Sequence, residues 1–165
     1  MLIKAMIRSK FRARPSAKLK YNIEIMNWYY RRGYKKLAKL YNRKILYKFN
    51  SDIGLGVVIP FSTTFPHIVG IVIGRGVEIS ENVTILQNVT IGSSLNGTRN
   101  GSHETMPTIE HNVMILAGAV IAGKITIGHN SIIAANAVVT TDIPPNSLVV
   151  GFNNIKAIPQ KYNHK

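Results

Sequence analysis

The sequence contains no cysteine, which excludes a disulfide framework, a thiolate metal site and a cysteine nucleophile. That absence fits a reducing compartment. Acids are nearly as scarce: seven Asp and Glu stand against twenty-one Lys and Arg, for a formal net charge of +14. No apolar run is long enough to cross a bilayer. The opening Met1–Arg8 is too short and too interrupted by charge for a secretory signal. The Arg-rich, acid-free run to Lys20 has the composition of a transit peptide but no further signature of one. At 165 residues with 45% hydrophobic content, the chain can bury one domain-sized core.

What is present is a six-residue repeat. Ile73, Ile79, Ile85 and Ile91 resume as Ile109, Ile115, Ile121, Ile127, Ile133 and Val139. A second register carries Ile71, Val77, Val83, Val89, Val113, Ala119, Ile125, Ser131, Ala137 and Ile143. Neither a helix nor a simple alternating strand has this period. Short strands joined by corners do, and stacking such units buries a continuous core. The sequence therefore predicts an all-β solenoid with a short N-terminal α-helical segment.

The charge is divided as sharply as the repeat. Residues 1–48 hold fifteen of the basic residues and one acid, Glu24, whereas the remaining 117 residues carry six of each sign. This break divides the chain into a basic arm and helical segment (1–48), a repeat domain (49–147) with a loop extruded at 92–108, and a tail (148–165) that packs back on the column or meets a neighbour. Within the basic part, residues 1–20 read as an arm and 21–47 as helical, divided at Gly33. Tyr34, Leu37, Tyr41 and Ile45 form an apolar stripe, with Lys35, Lys36, Lys39 and Arg43 on the other side. The stripe is expected to cover the open end of the column. The basic face is suited to an anionic membrane or an acidic polymer. No recognition motif accompanies the charge, so nucleic acid is not an expected partner.

Extending the six-residue frame upstream places Ile53, Ile59 and Phe65 in the register of Ile71, and Leu55 and Phe61 in that of Ile73. His67 then falls in a position that isoleucine fills in later units, and Pro60 and Pro66 make this first coil irregular, with His67 expected at its edge rather than inside. The polar, glycine-rich stretch from Ser93 to Pro107 is expected to leave the column at a corner and return in phase.

Four segments carry a family resemblance: His67-Ile-Val-Gly-Ile-Val-Ile-Gly74, Glu78 to Gly92, Ile115-Leu-Ala-Gly-Ala119 and Val138 to Pro145. Together they resemble the hexapeptide-repeat acyltransferases, in particular the serine acetyltransferase-like branch with its capsule and exopolysaccharide O-acetyltransferases. The resemblance covers roughly residues 53–158. It implies a left-handed parallel β-helix, a homotrimer, acetyl-CoA as acyl donor in a groove between columns, and His67 as the catalytic histidine. The expected location is cytoplasmic, with peripheral contact at the inner face of the membrane through residues 1–48. A neutral imidazole in reach of an alcohol can take its proton as the oxygen attacks a thioester, a role worth about 10²–10⁴-fold. His67 beside Gly70 fits that role, and backbone amides at glycine-rich corners are candidate oxyanion donors. Asp52, His103 and Glu104, together with Glu78, are candidates to orient His67 or hold the acceptor. Ala117, Gly118 and Ala135 are candidates to line the cofactor arm, with Lys156 meeting a cofactor phosphate.

The chain departs from the serine enzymes at two places. Pro66 stands where an aspartate precedes the family's catalytic histidine, and Met106 where a second histidine precedes the loop's closing proline. Both departures point to a sugar or polysaccharide hydroxyl as acceptor, with serine O-acetyltransfer as the alternative. A γ-type carbonic anhydrase needs three zinc-binding histidines. His67 and His103 lack a third at matching spacing, and His111 and His129 occupy another corner, so no metal is assigned. A non-catalytic scaffold would require neither the special loop nor a histidine in an aliphatic slot.

Overall fold

The computed structural model describes residues 14–94 and 106–157. Two helices, α1 (Pro15–Arg31) and α2 (Lys35–Phe49), precede a column of three sheets. The first sheet contains β1 (Asp52–Ile53), β2 (Val72–Ile73), β5 (Thr90–Gly92), β8 (Val120–Ala122) and β11 (Val138–Val139). The second contains β3 (Glu78–Ile79), β6 (Thr108–Ile109) and β9 (Thr126–Ile127). The third contains β4 (Thr84–Ile85), β7 (Met114–Ile115), β10 (Ile132–Ile133), β12 (Ser147–Val150) and β13 (Asn154–Ala157). The chain visits the sheets cyclically, and every pairing is parallel except β12 with β13. It therefore winds as a three-sided solenoid with three edges, numbered here in chain order from the one that precedes β1.

Both predicted registers point inward. Ile85, Ile91, Ile109, Ile115, Ile121, Ile127, Ile133 and Val139 are fully buried, as are Val83, Val89, Ala119 and Ala137. Each buried aliphatic contributes about 1.5–3 kcal/mol, so the wall is held by repetition rather than by any single contact. Ser131 occupies a core position because its hydroxyl donates to the Pro144 carbonyl and accepts from the Ser147 amide.

The upstream register differs from the expected one. Ile53 pairs with Ile73, and Thr64 bridges to Thr84, each a step of twenty residues, whereas Ile73 reaches Ile91 in eighteen. Gly70 and Asn88 are again eighteen apart, linked by the Asn88 amide to the Val69 carbonyl. Two extra residues therefore lie between Phe65 and Gly70, in the segment containing Pro66 and His67. Ile53 and Phe65 belong to the Ile73 register, and His67 occupies no isoleucine slot. Ser51, not Ile53, stands in line with Ile71. Ile79 pairs directly with Ile109, so no coil intervenes between β3 and β6, and the chain leaves β5 at the second edge.

The helices close the top of the column. Helix α1 begins at Pro15, within the stretch expected to be an arm, because proline's fixed φ and missing N–H suit a first helical position. Asn27 Nδ2 donates to the Val57 carbonyl at 2.6 Å and its Oδ1 accepts from the Gly56 amide, while Asn42 Nδ2 donates to Ile53 O at 2.8 Å. Lys20 Nζ donates to the carbonyls of Phe61 and Thr63, and burial lowers its pKa. These side chains satisfy first-coil backbone groups that have no strand above them. The buried face of α2 is Ala38, Ile45 and Phe49, with Tyr41 half-buried. It is rotated from the expected stripe, so that Tyr34 and Leu37 face outward. Asn50 ends α2 in the left-handed conformation, φ 49°. Among the described residues no helix is long and apolar enough to cross a membrane.

Candidate active site

The first edge is a ladder of left-handed corners at Asn50, Gly70, Asn88, Gly118 and Asn136. The residues just before them, Val69, Gln87, Ala117 and Ala135, stack in a second line along the same edge. The structure thus brings His67, Ala117, Gly118 and Ala135 to one edge of the solenoid. His67 is exposed at its top. Ala135 lies three coils below Val69, roughly 14 Å at the usual strand spacing. Lys156 is exposed on β13 opposite Leu148, at the foot of the third sheet, which borders the first edge.

Gly118 and Gly70 are explained by the fold. Gly118 has φ 72°, and a Cβ there would lie 2.2 Å from Asn136 Oδ1; Gly70, also at φ 72°, has the same relation to Asn88 Oδ1 at 2.1 Å. Their amides are engaged as well, Gly70 N with Asn50 O at 2.7 Å and Gly118 N with Gln87 O at 3.0 Å. Neither amide is free to serve as the expected oxyanion donor.

The two-residue insertion around His67 is pinned by Ser51. This buried side chain donates to the Ile68 carbonyl, and its oxygen lies 3.4 Å from the Ile71 amide. Asp52 follows Ser51 and His67 precedes Ile68, so two exposed titratable residues flank one buried hydrogen bond. Neither side chain hydrogen-bonds another described residue. Ser51 was not among the expected site residues. Its signal, a hydroxyl in an aliphatic register, is concealed until the insertion is counted. Gln87 was likewise missed: its Oε1 is buried without a partner among the described residues, on the line of the first edge directly below Val69.

His103 and Glu104 lie outside the described residues. The loop that carries them is rooted at the second edge, one sheet's width from His67. At its return, Met106 is buried with Sδ against the open side of Gly74. Glu78, on β3, is exposed on the second sheet, not at the first edge.

The third edge has a different character. Its left-handed corners are asparagines: Asn82, Asn112, Asn130 and Asn146. Asn112 Nδ2 donates to Asn130 Oδ1 at 3.1 Å, and Asn130 Nδ2 to Asn146 Oδ1 at 3.0 Å. The rings of His111 and His129 stack there at 4.8 Å. Glu110 accepts from the His129 amide at 2.7 Å and lies 3.0 Å from its Nδ1. The amide bond first and the ring bond second hold the Glu110 carboxyl below its usual range. Among the described residues no group of three or more His, Cys, Asp or Glu is placed to hold a metal.

Comparison with known proteins bears on the fold and the family. The bacterial transferase hexapeptide (six repeats) family matches residues 106–141. The chain is 38% identical over 127 residues to the serine acetyltransferase of Mycobacterium tuberculosis, covering 77% of this chain and 54% of that protein. It superposes on a serine acetyltransferase from Vibrio cholerae with a TM-score of 0.71 and 32% identity, covering 82% of this chain and 51% of the other. A serine acetyltransferase solved in complex with CoA gives a TM-score of 0.69 at 28% identity, over 86% and 56% of the two chains. The chain thus spans about half the length of these relatives, and they are serine acetyltransferases rather than capsule or exopolysaccharide enzymes. From its repeat, its first edge and these relatives, the chain belongs to the hexapeptide-repeat acyltransferase family.

Proposed function

We propose that the protein is an acetyl-CoA-dependent O-acetyltransferase, wound as a left-handed β-helix, with His67 as general base and serine as acceptor. The observation that carries this reading is the exposed His67 at the head of an edge whose next three coils present only small or amide side chains. The relatives supply the acyl donor and rank serine first. His67 takes the proton of the acceptor hydroxyl as its oxygen adds to the thioester carbonyl. The tetrahedral oxyanion then collapses, the C–S bond breaks, and the imidazolium returns its proton to the departing thiolate. An extended pantetheine arm runs down the first edge past Ala117 and Ala135, and Lys156 meets a phosphate. Asp52 acts as a positioning residue that fixes the imidazole's orientation.

A glycan hydroxyl is the second reading, favoured by one pair of positions. Pro66 and the buried Met106 offer no charge to an amino acid's ammonium and carboxylate.

The test is free-thiol release from acetyl-CoA with serine, simple sugars and glycans as acceptors, for wild type and His67→Ala. Serine-dependent release that collapses in the variant is expected. Full activity of His67→Ala would overturn the base assignment, and release only with a glycan would replace the acceptor. Asp52→Asn is expected to shift the pH profile of kcat/KM while leaving the thermal midpoint in place.

A further inference from the structure

We propose that the outer face of α2 is a docking surface for an anionic lipid bilayer. The rotation of the helix that buries Ala38, Ile45 and Phe49 leaves Leu40 59% and Tyr47 82% exposed. These two lie on one stripe with Lys36 and Arg43, at positions i, i+4, i+7 and i+11. Leu37 flanks the same face, and Tyr34 stands exposed at its start. From Arg31 to Lys48 the chain carries eight basic residues and no acid.

Exposed apolar residues scattered singly need no partner. These are not scattered: they share a stripe with cations on an otherwise well-seated helix. Charge complementarity alone would suit any polyanion. The leucines and tyrosines decide between partners, because a polyanion has no apolar phase to receive them. A bilayer provides acidic headgroups for Lys and Arg, an interfacial zone for tyrosine and acyl chains for leucine. The face lies at the top of the column, away from the line of Ala117 and Ala135, so docking leaves that edge open.

The experiment is vesicle co-sedimentation of the full chain, using phosphatidylcholine alone and with added phosphatidylglycerol. Wild type is expected to pellet only with the anionic vesicles and to be released by salt. Leu40→Glu/Tyr47→Glu is expected to bind roughly tenfold more weakly, with its thermal midpoint unchanged; Lys36→Gln/Arg43→Gln, which tests the charge without adding acids, is expected to lose binding comparably. Three results would overturn the proposal. They are no pelleting with anionic vesicles at low salt, equal pelleting of wild type and Leu40→Glu/Tyr47→Glu, or a change of oligomeric state in that variant with lipid binding unaltered. The last would assign the face to a second copy of the chain.

Discussion

Two edges of the same solenoid use the same backbone and reach opposite ends. Along the third edge asparagine follows asparagine, the side chains bonding one another from Asn112 to Asn146, and the neighbouring histidines are stacked, with His129 tied to Glu110. That edge is closed on itself. Along the first edge glycines interrupt the asparagines, alanines replace the histidines, and His67 stands without a partner among the described residues. A histidine's surroundings therefore say more than its presence: the better-bonded imidazole, His129, is the one engaged in holding a corner.

The strongest way to break this comparison is to exchange histidines for alanine on both edges. His67→Ala is expected to lower the turnover of acetyl transfer by about 10²–10⁴-fold, whereas His129→Ala leaves it unchanged; stopped-time thiol assays on both variants decide. Equal losses would remove the distinction between the edges. Next in size is the backbone. Gly118→Ala is expected to cost about 1–3 kcal/mol, read from denaturant midpoints, because the new Cβ meets Asn136 Oδ1. Adding Asn136→Gly should recover the part due to collision and leave the part due to φ. On the third edge Asn130→Ala is expected to cost about 1 kcal/mol, since it removes two exposed side-chain bonds at a left-handed corner, with no effect on activity. Asn130→Gly should cost less, because glycine keeps the conformation.

How far the sequence discloses this architecture follows the same division. The aliphatic registers from Ile71 to Ile143 could be read directly, because each coil repeats one physical demand, a buried side chain every sixth residue. The break in the column after Gly92 could be read from composition, because its length in sixes alone would equally allow a further coil. The first coil could not, because a two-residue insertion leaves no mark except the failure of the frame around it. Extending the count backward thus puts Ile53 and Phe65 in the wrong register and His67 in an isoleucine slot it does not occupy. Its place at the edge of an irregular coil holds, and the slot drops out as a mark of the site, leaving the family resemblance to single His67 out. The face of α2 was misjudged for a related reason. Tyr34, Leu37, Tyr41 and Ile45 make as good a stripe as Ala38, Tyr41, Ile45 and Phe49, and only the fit against the column chooses between them. The hydroxyl of Ser51 shows in an aliphatic register only once the insertion is counted, and the buried amide oxygen of Gln87 only in its three-dimensional neighbours.

The smallest expected effect concerns pH. The carboxyl of Glu110 is held low by His129, so its contribution to stability is present above its unfolded pKa and fades as pH falls through the lower folded value. Glu110→Gln should therefore flatten the acid side of the stability curve, below about pH 4.5, and lower the neutral plateau slightly. A variant whose acid limb matches wild type would show that the third edge does not depend on this contact.

The insertion between Phe65 and Gly70 has a consequence for how such a protein can change. Because the two extra residues are accommodated at a corner and the chain regains its step of eighteen by Gly70, the segment can be exchanged without shifting any strand below it. Removing two residues there would restore a plain coil and leave a complete but inert prism. The proposed reactive group is thus a detachable passenger on the architecture, free to be lost, lengthened or replaced while the scaffold is inherited intact.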